Sequence, residues 1–293
     1  MERTTDKAKR SIRPCTVEAI VWKQKQRYRN ILVGVYKGVI MKYIASCSFG
    51  KDSLATIIVA LKNKEPLNEA IYCEVMFDKN VSGEVPEHRD FIYNKAIPKL
   101  KEWGVKTTVL QSDVTYKDYF YRVIKSGARV GKIRGFPVCG MCGVNRDCKK
   151  PPIKKYLKSI DEEITQYVGI ANDEDTRLMR LEKNSMGKRI KQVSLLEKYG
   201  ITQKETREIC KAEGLLSPSY EFVTRGGCFF CFNAKDKELR HLYDNHPQLW
   251  NEMLELQKAE NKASELFTRD MRFIDIHNNF MFDDSQMRAE DYL

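Results

Sequence analysis

"SCSFGKDS" (residues 46–53) stands between a short strand-like run, "KYIA", and "LATIIVALKNK", which reads as a helix. A strand that ends in a tight turn and opens a helix presents backbone N–H groups and the positive end of the helix dipole, which together attract an anion. Ser48 and Ser53 add hydroxyl donors, Gly50 lets the backbone approach closely, and Lys51 adds charge. Asp52 is expected to hold the turn by accepting backbone N–H bonds, or to help hold a metal. An ordinary serine-capped helix would account for Ser48 and Asp52 but not for the whole cluster.

Outward from this stretch, strand and helix signals alternate. "EAIYCEVMF" reads as a strand, "VPEHRDFIYNKAIPKLKEWG" as a helix interrupted near Pro98, and "VKTTVLQS" and "EITQYVGIA" as further strands. Strands separated by helical crossovers predict an α/β fold: a parallel twisted sheet with helices on both faces, ligands binding beyond the carboxyl ends of its strands. The expected organisation is a nucleotide-binding α/β domain over residues 41–189. A smaller, mostly helical region over 190–293 follows. There, "SLLEKYGITQKETREICKAEGLL" carries a capping box at Thr202 and Glu205, and a longer helical stretch breaks at Pro247.

The first 40 residues have no sustained period of two or 3.6. "KGVIM" (37–41) can be encoded with a purine-rich ribosome-binding sequence just ahead of the Met41 codon, so Met41 is expected to be the natural start and residues 1–40 a translated leader. A genuine basic N-terminal extension is the rival. The 293 residues are 42% apolar, enough to bury a sizeable core. They contain neither a run of about 18 apolar residues nor a signal-peptide pattern, so a cytoplasmic, membrane-independent protein is expected. The net charge of +11 suits a polyanionic partner, although a solvated basic face explains most such runs, "KKPPIKKYLK" at 149–158 included.

"SFGKDS" resembles the PP-loop of the adenine nucleotide alpha hydrolase superfamily, written SGGxDS, in the variant of phosphoadenosine phosphosulfate (PAPS) reductase-like proteins. It lacks the Gly-x4-Gly-Lys-Ser/Thr of a Walker A loop. Phe49 stands where the first glycine is usual. The likeness runs from 41 to about 245. It implies that Ser46, Ser48, Phe49, Gly50, Lys51, Asp52 and Ser53 form the nucleotide loop, with Lys51 and Asp52 carrying catalysis. "VMFDKNVSGEVPEHRDFI" resembles the segment beside the adenosine, with Asp78 and Glu84 at its polar end. "NRDCKKPPIKKYL" resembles the family's Arg-x-Cys-x(n)-Lys segment, giving Arg146, Cys148, Lys149 and Lys154 as anion contacts. "VGIANDEDTRLMRL" resembles G-I-R-x-x-E-S-x-R, matching Glu174 and Arg177, while Ala171 and Asp175 replace the usual arginine and serine.

The nine cysteines give a second signal. Four form Cys-x-x-Cys pairs, "CGMC" (139–142) and "CFFC" (228–231), each beside glycines that let the backbone turn. Such knuckles suit tetrahedral thiolate coordination of Zn2+ or an iron-sulfur cluster, with Cys139, Cys142, Cys148, Cys228 and Cys231 as candidate ligands. Spacing does not choose between the metals. Iron-sulfur clusters occur in sulfur-handling members of the resembled family, where a segment like "RGGCFFCFNAKDKEL" also appears. Cys47, Cys73 and Cys210 read as buried small hydrophobes. His88 reads as a helix-surface residue, and His241 and His246 fall in a packed helix pair.

Two reactions follow from the resemblance. In one, Mg2+ and ATP adenylate an acceptor, pyrophosphate leaves, and a sulfur or nitrogen nucleophile displaces AMP. In the other, a cysteine thiolate attacks PAPS, a route that in the reductases uses a cysteine in a C-terminal segment. The last cysteine here is Cys231, so sulfur transfer is preferred. Nucleic acid, a sulfur-carrier protein and a second copy of the chain are candidate partners. A catalytically silent nucleotide-sensing or nucleic-acid-binding protein with structural zinc is the alternative class.

Overall fold

Five runs of β-branched and aromatic residues become strands in the computed structural model, which describes residues 41–138, 142–185, 189–223 and 226–290. The expected leader and Cys139 lie outside the described residues. The strands are β1 (Met41–Ser46), β2 (Glu69–Glu74), β3 (Lys106–Gln111), β4 (Glu163–Val168) and β5 (Ile190–Val193). Their order in the sheet is β3-β2-β1-β4-β5, and β1/β2, β2/β3 and β4/β5 run parallel. The expected parallel sheet is therefore present, and β5 is an addition that was not read from the sequence. The chain winds outward from β1 to β3, then returns to β4 on the other side. The crevice beyond the carboxyl ends of β1 and β4 is thus a topological switch point, where open α/β sheets bind ligands.

Helices supply the crossovers. They are α1 (Lys51–Lys62), α2 (Pro86–Phe91), α3 (Ile97–Glu102), α4 (Tyr116–Tyr121), α5 (Lys150–Lys158), α6 (Asp175–Ser185), α7 (Leu195–Lys198), α8 (Gln203–Ala212), α9 (Asp236–Asn245), α10 (Pro247–Lys258) and α11 (Phe273–Glu290). The expected interruption near Pro98 takes the form of a π-helical turn (Ile92–Ala96) between α2 and α3, which leaves Pro98 in the first turn of α3. α1 is buried from Ser53 through Ala60 because its apolar run faces the sheet while α8 packs on it. α8 begins at the expected capping box, Thr202 with Glu205. α9 and α10 meet at His246, whose backbone Pro247 biases away from the helical region.

A large aromatic core lies beyond the ends of the strands. Phe77, Tyr116, Phe120, Phe136, Phe229, Phe230 and Trp250 pack together, with Tyr116 stacked on Phe230 at 3.9 Å. This core ties the segment after β2 to the region of α9, α10 and α11. Among the described residues no helix is long and apolar enough to cross a membrane.

β2 is buried along its length, two carboxylates included. Glu74 accepts from Ser82 Oγ (2.7 Å), Tyr93 Oη (2.7 Å), Arg89 Nε (2.8 Å) and Gln111 Nε2 (3.1 Å). Burial pushes its pKa up, but these four donors outweigh burial and leave it below the ordinary glutamate value. Stability from such a carboxyl is complete above the unfolded-state pKa, about 4.3, and is lost as pH falls through the lower folded value. In Glu74→Gln, urea midpoints are expected to drop at neutral pH and to fall less steeply with acid than in the wild type. Parallel pH profiles in the two proteins would contradict this role.

Candidate functional site

The 46–53 loop is built by a residue that breaks a local rule. Phe49 has φ of 57°, in the left-handed region that costs a non-glycine residue roughly 1–2 kcal/mol. Its ring is fully buried and packs edge-on against Tyr72 at 5.2 Å, which offsets that strain. Phe49 thus contributes a backbone bend and a core anchor. The reversal delivers Gly50 as the N-cap of α1, a residue with no side chain to cap this helix end. The serine-capped reading is therefore replaced by an uncapped helix N-terminus.

The loop's amides are partly used internally. Ser48 N donates to Ser53 Oγ (3.2 Å), Phe49 N to Cys47 Sγ (3.4 Å), and Lys51 N to Tyr220 Oη (2.8 Å). The amides of Gly50, Asp52 and Ser53 lie outside these bonds. Asp52 does not brace the turn through its backbone, as expected; its Oδ1 accepts from Lys51 Nζ (2.6 Å) and Thr206 Oγ1 (2.7 Å). Lys51 Nζ also donates to the carbonyl of Gln203 (3.2 Å), so α8 holds the charged pair at the edge of the loop.

A cleft of about 730 Å³ opens on this loop. Ser46, Ser48, Gly50, Lys51, Asp52, Ser53, Lys149 and Arg177 line it, and the structure adds Lys150 and Arg180, which the sequence reading passed over. The other expected contacts go elsewhere. Asp78 Oδ1 accepts from the amides of Asn80 and Val81 (both 2.9 Å), fixing a turn. Glu174 holds the turn ahead of α6 by accepting from Ala171 N (3.0 Å), and it pairs with Arg177 Nη1 (2.6 Å). Arg146 is exposed and pairs with Asp147 (2.6 Å), and exposed Lys154 lines neither the cleft nor the thiol pocket.

A second cavity of about 390 Å³ adjoins the first. Ser48, Asn145, Lys149 and Gly226 line both, and Cys142, Cys228 and Cys231 line the second. The knuckle is placed by its two phenylalanines: Phe229 and Phe230 are buried in the aromatic core, and Phe229 N donates to Gly83 O (2.9 Å). Glu84, expected beside an adenosine, lines this thiol pocket instead and accepts from Tyr72 Oη (3.1 Å). Cys148 is excluded from the pocket. It is buried in the core, donates to Thr115 O (3.6 Å), and burial pushes its thiol up to about 12.

The donor types fit a metal, although among the described residues the three pocket thiols do not converge within 4.8 Å of one another, a spread that a cluster of several metal atoms spans more readily than a single tetrahedral ion. Burial raises the Cys228 thiol well above its ordinary value, so a thiolate there calls for a neighbouring cation. Tyr116 Oη is buried without a hydrogen-bond partner, and the three pocket cysteines are among the groups that act on it electrostatically. Its O–H is the kind of donor that metal-bound sulfur accepts. Cys47, Cys73 and Cys210 are buried as expected, with thiols pushed up to about 11, 11 and 12 by desolvation.

His88 was misread as a surface residue. It is buried, its Nδ1 is 2.9 Å from Ser217 Oγ, and its Nε2 is 3.4 Å from Ser48 O. Together with Tyr220, it holds the loop against the turn at Pro218–Glu221. The signal available in the sequence was its position two residues past Pro86, within the first turn of α2. Gly169 was also passed over. A Cβ there would lie 2.7 Å from the Asp52 carbonyl carbon and from Ser53 N, so only glycine lets the end of β4 meet the start of α1.

No family model matches the chain, and no curated protein matches it. Among solved structures, the U34-tRNA thiolase NcsA from Methanococcus maripaludis with its 4Fe-4S cluster is similar at a TM-score of 0.41 and 18% identity, over 83% of this chain and 82% of that one.

Two substitutions test the loop's packing. Phe49→Ala is expected to lower folding stability by about 3–5 kcal/mol in denaturant titration, since the ring is fully buried. Gly169→Ala is expected to push α1 from β4 and lower Tm, since its Cβ would meet the backbone of Asp52 and Ser53; an unchanged Tm would refute that placement.

Proposed function

We propose that the 46–53 loop is a PP-loop binding the phosphate end of an adenine nucleotide, and that the chain uses ATP to adenylate an acceptor for sulfur transfer. The observation that carries this reading is the uncapped N-terminus of α1 opening on a cleft continuous with the thiol pocket. In the reaction, an acceptor oxygen attacks the α-phosphorus, the bond to the β-phosphate oxygen breaks, and pyrophosphate leaves. A sulfur nucleophile then attacks the activated carbon, and AMP departs with the acceptor's former oxygen. The helix N-terminus, Lys149, Lys150 and Arg180 are suited to stabilise negative charge as it grows on the leaving pyrophosphate, with Mg2+ as the expected counterion. Cys142, Cys228 and Cys231, with Cys139, would hold an iron-sulfur cluster or Zn2+; iron would supply sulfur chemistry beside the cleft, and zinc a rigid brace. The net charge of +11 favours a nucleic-acid acceptor, with a sulfur-carrier protein as donor.

PAPS reduction has less support, because Cys47 and Cys73, the thiols lining the cleft, are buried and hold little thiolate at neutral pH. Nucleotide sensing without turnover is favoured by one observation: the Lys51 ammonium is engaged by Asp52 and α8. A pyrophosphate-release assay on anaerobically purified protein with Mg2+, ATP and RNA discriminates the two. Release that falls roughly 10²-fold or more in a Lys51→Ala, Asp52→Ala double variant supports adenylation. Tight ATP binding without release by the wild type would favour sensing. Visible absorbance with about four irons per chain, lost in Cys228→Ser, is expected of a cluster; colourless protein with stoichiometric zinc would make the knuckles structural.

A further inference from the structure

Glu87 opens α2, and its Oε1 is approached from two sides. His241 Nε2 lies 2.8 Å away and His246 Nε2 2.9 Å away, and the three ligand atoms lie within 4.8 Å of one another. None of these residues belongs to the nucleotide cleft or the thiol pocket. The convergence follows from chain geometry. His241 projects from α9, while His246 sits at the α9–α10 corner, where Pro247 forces the backbone out of the helix and swings its imidazole back alongside His241. The ring centroids are 5.7 Å apart.

We propose that Glu87, His241 and His246 form a second metal site, for a divalent transition cation of the Zn2+ type. Two imidazole nitrogens and one carboxylate are a zinc donor set, and imidazoles disfavour Mg2+ and Ca2+. Ligands at about 2.0–2.1 Å from a tetrahedral zinc stand ~3.3 Å from one another, so the present spacing needs to open by only about half an ångström. Two further observations point to a cation. Glu87 Oε2 is buried with no hydrogen-bond partner, although a carboxylate oxygen in that setting demands a donor or a metal. Phe222 stacks on His241 at 3.5 Å and 7°, fixing the plane of one ligand ring. All three side chains keep between 19% and 30% of their surface exposed, which leaves an entry path and a fourth position for water.

The metal would fasten the start of α2 to α9. The segment between those elements in space carries the knuckle: Glu84 and Cys228 form an antiparallel bridge, and α9 starts five residues after Cys231. His88, next to Glu87, reaches the loop at Ser48. A cation here would therefore brace both the thiol pocket and the loop without touching either ligand. This inference does not depend on the proposed reaction.

The test uses the full chain carrying Cys139→Ser, Cys142→Ser, Cys228→Ser and Cys231→Ser, so that the two knuckles no longer compete, stripped of metal and then given Co2+ or Zn2+. The expected result is one cobalt per chain, with d–d absorption typical of nitrogen and oxygen ligands and no thiolate charge-transfer band. Zinc should raise Tm. Both effects should vanish in Glu87→Gln and in His246→Gln, which keep hydrogen-bonding capacity while losing affinity for metal. Absence of cobalt absorption in the knuckle-free parent, or equal zinc stoichiometry in parent and Glu87→Gln, would overturn the assignment. The parent's own titration decides the matter if a variant fails to fold.

Discussion

The close approach of β4 to α1 is the constraint on which the site depends. Gly169 lies against the backbone of Asp52 and Ser53, and nothing larger than hydrogen fits between them. That contact brings the end of β4 up to the first turn of α1 at the switch point, and so determines where the uncapped amides face. The loop is held from the opposite side as well. Tyr220 Oη takes the Lys51 amide, Cys210 Sγ donates to the Lys51 carbonyl (3.1 Å), and Thr206 reaches Asp52. The helix that opens the cleft is thus clamped between the sheet and the chain's later half, and the cleft's shape is a property of both.

The same later half builds the thiol pocket. Aromatic packing does this, through Phe229 and Phe230 against Phe77 and Tyr116, while the flanking cysteines are left to line a cavity. Rigid stacking of the two phenylalanines between them positions the flanking cysteines. Burial raises the Cys228 thiol, and Tyr116 Oη is buried beside the pocket without a hydrogen-bond partner. The cleft and the pocket share Ser48, Asn145, Lys149 and Gly226, so groups bound in the two would lie side by side.

The residue types at 46–53, with the strand before them and the apolar run after, were enough to indicate a strand-turn-helix and its place in a parallel sheet. Period-two and period-3.6 patterns arise from local geometry, and local geometry is written in sequence. The CFFC spacing likewise announced a turn, which Cys231 N closes by donating to Cys228 O (3.0 Å). The α8 capping box and the break at Pro247 were legible for the same reason, since each is an interaction within a few residues.

The assignments that the structure changed were mostly non-local. Whether Lys149 or Lys154 reaches the cleft depends on the rotation of one helix against the sheet; whether Asp78 meets a ligand depends on amides two and three residues ahead of it. Cys148 and Cys142 are similar as letters, yet one is buried in the aromatic core and the other lines a cavity, because packing assigns their faces. His88 became a loop contact only once Ser217 arrived 129 residues later in the chain. The sequence by itself determined the strand-loop-helix unit and its chemical character, because those rest on near neighbours. Only the tertiary structure decided which charges, thiols and imidazoles converge, since convergence depends on how separate elements pack.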